Sequence, residues 1–357
     1  MNEGLSPEDS FRLQVLLAQD LQAVRIDEST LTLHALTAQG EASIPLSPNC
    51  RADKYLRQVR ELLSGHALGS PGGYPVYLTR WTRHGQMEGV NLGKLLLTGE
   101  PEAVVAVVHS PGLTDELARY AWWTLPTIEN ARLMLRRDAV ARGPMGRVLA
   151  DFLVEHLPFL QDDHLGIIDT VAVLIHSHAV TPAGLETVWK WGRRSNTHFV
   201  AFLEMAAGHL PLPLDAHPQH AAVSAALTAN LAAGHPAACA LERALSDQGQ
   251  TFLDAAGEIL ERPETQEVVS RTLNAIGRYF SGNDFSNNFD WDQADQPVND
   301  ACQAFAPKLE AAARLARCDD SAVKAIFVRT TAIGSLMRRK IEPVIAPLLR
   351  DIAELRN

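Results

Sequence analysis

Thirteen histidines and four cysteines give this 357-residue chain several spacings that could hold a metal or a reactive thiol. Asp215, His217 and His220 form a D-x-H-x-x-H triplet, and His176 and His178 stand two positions apart. A zinc or iron site wants three or four ligands and a second shell that orients them. Neither cluster has a further partner at local spacing. Pro218 suits the first turn of a helix starting near Ala221, which makes Asp215 or His217 a capping-region residue. No metal is expected. Cys50, Cys239, Cys302 and Cys318 contain no C-x-x-C pair, the usage of reduced thiols in a cytoplasm. A sulfur-handling thiol needs a lowered pKa, beside cations or at a helix N-terminus. Cys318 follows Arg314 and Arg317 but precedes Asp319 and Asp320, and Cys50 neighbours Arg51 ahead of Asp53. Neither setting is clearly activating.

A second candidate chemistry is phosphate binding by the glycines of "LSGHALGSPGGYPVYLTRWTRHGQ" (63–86). A P-loop needs a Lys and a hydroxyl directly after its last glycine, and a dinucleotide fingerprint lies between a strand and a following helix. Here Gly65, Gly69, Gly72 and Gly73 follow a helical pattern and precede a strand-like one, so no helix N-terminus aims amides at an anion. Gly65 or Gly69 ends the helix, and Ser70 to Gly73 turns the chain. Beyond them, Tyr77, Trp81 and His84 interleave with Arg80 and Arg83, residue types that stack bases and neutralise phosphates. Strand alternation favours a half-buried strand with snorkelling arginines over that use. "NDFSNNFDWDQADQ" (283–296) lacks the glycine and the final glutamate of a calcium loop, leaving an acidic, aromatic segment.

Basic clusters stand out against a net charge of −10. Arg132, Arg136, Arg137, Arg142 and Arg147 surround one helix-pair break, and Lys190, Arg193 and Arg194 end a helix carrying Trp189 and Trp191. Arg338, Arg339 and Lys340 form a shorter run. Cations at helix C-termini are favourable through the dipole alone. Stacked helix pairs would also bring the two larger clusters together, making a groove for RNA or an acidic protein. The partner-binding candidates are therefore Arg132, Arg136, Arg137, Lys190, Arg193 and Arg194, with Arg80, Trp81 and Arg83. No G-x-S-x-G elbow, H-E-x-x-H helix or kinase set is present. Carboxylates distant in sequence can still meet in space. No catalytic, cofactor-binding or metal residue is assigned.

These residues must be positioned by a mainly α chain. "LQAVRID", "LTLHALT" and "EASIPL" read as short strands over 21–46, and Tyr55, Leu56, Val59, Leu62 and Leu63 fall at helical spacing. Residues 1–97 read as a small α+β module. From residue 98 amphipathic helices recur with breaks at Pro111-Gly112, Gly143-Pro144 and Thr181-Pro182. The repeat is unequal, so 98–212 reads as an α-solenoid-like or irregular helical region. A Pro/His-rich connector leads into a helical 213–357. Hydrophobic content of 46% and charged content of 21% are ordinary for a soluble globular protein. No apolar run spans a bilayer, and the acidic N-terminal stretch does not read as a signal peptide. The overall negative charge supplies no global field for nucleic acid or anionic membrane, so any such contact needs a local patch. The expectation is a cytoplasmic protein with a protein or RNA partner, no membrane partner and no cofactor.

"LLSGHALGSPGGYPVYLTRWTRHGQ" and "LLLTGEPEAVVAVVHSPGLTDELARYAWWTLPTIENARLML" together resemble the DsrS family of sulfur-metabolism accessory proteins, over roughly residues 47–135. That resemblance implies a cytoplasmic protein encoded beside dissimilatory sulfite reductase in sulfur-oxidising bacteria. It implies no catalytic site, and an influence on dsr gene expression after transcription. An enzyme or a Cys-dependent sulfur-handling protein of the same pathway is the alternative.

Overall fold

The computed structural model describes residues 4–69, 89–282 and 304–357. Of these, 67% are helical, and the strands form one small sheet near the N-terminus. The chain is a small α+β module followed by an all-α region. The strand expected over 74–82, with Arg80, Trp81 and Arg83, lies outside the described residues, as does the acidic stretch 283–296.

Ser6 opens α1 (Pro7–Leu17), its hydroxyl accepting from the Asp9 amide. Pro7 takes a position where a missing N–H costs nothing, and Glu8 and Asp9 meet the positive end of the dipole. This helix is absent from the expectations above, although Ser-Pro-Glu-Asp is a legible start signal. Strands β1 (Leu21–Asp27), β2 (Thr32–Thr37) and β3 (Gly40–Pro45) form an antiparallel meander in which Val24 faces Ala35 and Ala35 faces Ala42. Alternation buries Val24, Leu33 and Ala35 against Leu13 and Leu16 of α1 and against Tyr55, Val59 and Leu63 of α2 (Ala52–Leu68). Helix α2 stops at Gly69, whose φ of 62° is the left-handed conformation that a side chain would disfavour. Gly69 is a helix stop.

Five longer helices and one single turn complete this half: α3 (Gly89–Leu95), α4 (Pro101–His109), α5 (Asp115–Thr124), α6 (Ile128–Leu135), α7 (Asp138–Ala141) and α8 (Pro144–His156). Helix α5 closes on the sheet. Trp123 donates its indole N–H to Glu41 at 2.7 Å, and the Arg25 guanidinium lies 4.6 Å over the Trp123 ring.

Packing divides the chain into two compact units, residues 1–156 with 177–179, and residues 157–176 with 180–357. The helical segment 98–156 thus groups with the sheet module, a division different from composition boundaries at 97 and 212. The second unit contains α9 (His164–Ser177), α10 (Pro182–Trp191), α11 (Thr197–Met205), α12 (His220–Ala226), α13 (Thr228–Ala232), α14 (Pro236–Leu245), α15 (Asp247–Glu261), α16 (Gln266–Ser281), α17 (Ala306–Ala316), α18 (Ser321–Phe327) and α19 (Gly334–Arg356). Helix α19 packs on α17 and on α15, which precede it by several elements. A solenoid contacts only neighbours in sequence, so this is an irregular helical bundle. Phe252 stacks on Tyr279 at 4.1 Å in its core. Among the described residues no helix is long and apolar enough to cross a membrane.

Candidate functional site

The first basic cluster surrounds α6. Arg132 is 14% exposed and 3.6 Å from Glu129, one turn back on the same helix. Arg136 is exposed at the C-cap, where a cation complements the helix dipole. Arg137 donates to the His109 carbonyl at 2.8 Å, satisfying the last residue of α4. Arg142 pairs with Asp138 at 3.1 Å and Arg147 with Asp151 at 2.7 Å, both across one helical turn. Such exposed pairs are worth about 0–1 kcal/mol each.

The second cluster ends α10. Lys190 lies 3.7 Å from Glu186, and Arg194 is exposed. Arg193 reaches across to α15, donating to Asp254 at 2.7 Å and Glu258 at 2.6 Å, with its guanidinium 5.5 Å from the Phe199 ring centre. Burial works against this cation, but the two carboxylates outweigh it and raise its pKa. Asp254 also holds Arg356 at 2.7 Å. Arg193 therefore ties the end of α10 to α15, and Asp254 ties α19 to α15 through Arg356. The two clusters fall in different compact units, Arg132, Arg136 and Arg137 in the first and Lys190, Arg193 and Arg194 in the second.

Tertiary structure assembles a hydroxyl, imidazole and carboxylate group that sequence spacing does not announce. Oε2 of Glu264 accepts from Ser195 Oγ at 3.1 Å and from the buried Thr197 hydroxyl, and His164 Nδ1 lies 3.0 Å away. His164 Nδ1 is also 3.1 Å from Thr197 Oγ1. A nucleophile–base–acid relay needs the hydroxyl and the carboxylate on opposite ring nitrogens. Here both meet the same one, so the geometry orients helix ends. Asn196 joins them, donating to the Arg262 carbonyl at 3.0 Å beyond the end of α15. His198 donates through Nδ1 to the Ser195 carbonyl at 2.9 Å, while Nε2 is buried without a partner among the described residues. Burial lowers the His198 pKa and favours the neutral ring. Ser-Asn-Thr before the apolar run 199–203 was the one legible signal; Glu264 and His164 lie 67 and 33 residues from Thr197.

In the Asp215, His217 and His220 triplet, His217 is buried and its Nδ1 accepts from the Gln219 amide at 3.1 Å, at the start of α12. Burial, with the Lys308 charge, lowers its pKa. His220 turns instead to Glu242, 3.2 Å away. Among the described residues no three His, Cys, Asp or Glu side chains are placed to hold a metal ion. Cys318 is buried, and that burial, with Asp319 beside it, pushes its thiol up to about 12. Such a thiol is the reverse of an activated one. Cys50 and Cys239 are half-buried, and Cys302 lies outside the described residues.

Fold and side-chain geometry together define a mainly α protein with a three-stranded meander and charged helix ends. No family model, no curated protein and no solved structure matches the chain.

Proposed function

We propose that this chain is a non-enzymatic accessory or regulatory protein that acts by binding a protein or RNA partner. The resemblance to DsrS proteins suggests cytoplasmic dissimilatory sulfur metabolism as its setting. One observation supports the binding role most directly. The hydroxyl, imidazole and carboxylate groups gathered around Glu264 serve helix ends, and the Cys318 thiol is held protonated. Arg136 and Arg194 are exposed, with Arg132 and Arg137 near the first along the chain and Lys190 near the second. Arg193 is better assigned to the bundle, since two carboxylates hold it.

The test is a pull-down from cells grown on reduced sulfur, with and without nuclease, using the wild type and an Arg136→Gln/Arg194→Gln variant. The variant keeps the Arg193 bridge and should retain its fold. Lower recovery of a specific partner, most visible at low salt, supports the reading. Equal recovery at every salt concentration refutes a role for these arginines, and turnover of a sulfur compound by the pure protein refutes the non-enzymatic assignment.

A further inference from the structure

Residues 321–341, from Ser321 to Ile341, contain five of the chain's 32 cations and none of its 42 acids. They form α18, a turn over 328–333, and the first turns of α19. Arg329, Arg338 and Arg339 are exposed and make no ion pair among the described residues, while Lys324 pairs with Asp320 at 3.1 Å. The same surface exposes aliphatic side chains: Val328 is 87% exposed and Ile333 71%. Leu336, Arg339, Lys340 and Pro343 follow at i, i+3, i+4 and i+7 and share one outer face of α19, opposite the buried Met337, Ile341 and Ile345.

The turn is held from behind. Gln266 donates through Nε2 to the Thr330 carbonyl at 2.9 Å and the Ala332 carbonyl at 3.0 Å. Lys340 donates to Thr330 Oγ1 at 2.7 Å. Val328 and Ile333 are thus presented by a bonded turn, with Arg329 and Arg339 exposed nearby; the flanking acids are Asp320, which holds Lys324, and Glu342.

We propose that this surface docks on an anionic lipid headgroup layer, with Val328, Ile333 and Leu336 entering the interface and the arginines meeting phosphates. Apolar tips ringed by cations match the two parts of such a surface, an acyl boundary beneath negative headgroups. RNA would satisfy chiefly the arginines, since the patch's one aromatic ring among the described residues, Phe327, is half-buried. The overall negative charge does not oppose close contact, because physiological salt screens charges beyond about 8 Å. This inference is independent of the partner proposed above.

The experiment is co-sedimentation of the full chain with vesicles of phosphatidylcholine alone or with about a third phosphatidylglycerol, the anionic composition supplying the surface potential. The wild type should bind the anionic vesicles at least about tenfold better, and less so as salt rises. Arg329→Gln/Arg339→Gln should weaken that binding by about tenfold or more and flatten its salt dependence, whereas Arg338→Gln, on the other side of α19, should not. Val328→Ser/Ile333→Ser should weaken it at every salt concentration, leaving the salt slope unchanged. All these side chains are exposed, so thermal melts of the variants should match the wild type. Equal binding to both vesicle types, or double variants that bind like the wild type, would overturn the proposal. So would binding to single-stranded RNA or polyglutamate with none to vesicles.

Discussion

Glu264→Ala removes the acceptor that Ser195, Thr197 and His164 share. The Thr197 hydroxyl is fully buried, so its proton would lose its partner without gaining water as long as the neighbouring His164 Nδ1 keeps its own proton. An unsatisfied buried donor costs about 1–3 kcal/mol. Ser195 and His164 are half-buried and can turn to solvent, adding about 0.5 kcal/mol each at the low end of hydrogen-bond values. The expected loss is about 2–4 kcal/mol, concentrated where α11 meets the segment after α15. Glu264 and its three partners lie in one of the two compact units, so a single melting temperature for the whole chain would blur it. Hydrogen exchange of the α11 amides reads the local value. At about 1.4 kcal/mol per decade, exchange should accelerate roughly 30- to 700-fold. Glu264→Gln keeps one acceptor oxygen and should lose about 1 kcal/mol, the neutral bond being weaker than the charged one. A double-mutant cycle with Thr197→Val should give a coupling of about 1 kcal/mol or more. Exchange in Glu264→Ala accelerated less than about threefold would refute the helix-clamp reading.

Three further outcomes are expected. Gly192→Ala should destabilise the second unit by about 1–3 kcal/mol, because its Cβ would overlap the buried Phe199 ring, itself packed 4.5 Å from Trp189; an unchanged denaturation midpoint would contradict that packing. Cys318, with its thiol near 12 against an ordinary 9, should resist alkylation at neutral pH in the native state and react after unfolding, as read by peptide mapping. Tyr279, raised by burial from 10 to about 12, holds its proton more tightly when folded. Its contribution is complete below pH 10 and is lost as pH rises toward 12, so alkaline unfolding of wild type against Tyr279→Phe, followed by phenolate absorbance, should show a steeper loss for the wild type.

Local rules made much of the architecture legible. Short β-leaning runs between turn residues marked the strands over 21–46, and helical spacing of Tyr55, Leu56, Val59 and Leu63 marked α2, because burial on one helix face leaves its period in the sequence. A helix stop at Gly65 or Gly69, of which the fold uses Gly69, and a helix break at Thr181-Pro182, which is the start of α10, were readable for the same reason, since capping is settled within a few residues. The start at Ser6-Pro7 obeyed those rules too. What no spacing could show is which charges would find partners. Arg193 and Arg194 are adjacent in sequence, yet one is held by two carboxylates and the other is exposed. Asp254 and Glu258 are 61 and 65 residues from Arg193 along the chain, and the packing of α11 on α15 brings them within bonding distance. Glu264, Thr197 and His164 met for the same reason. The acid-free run 321–341 is a property of the sequence, but its reading as a surface came from tertiary structure. Met337, Ile341 and Ile345 face the core, and Gln266 holds the turn from behind, which leaves Val328 and Ile333 exposed.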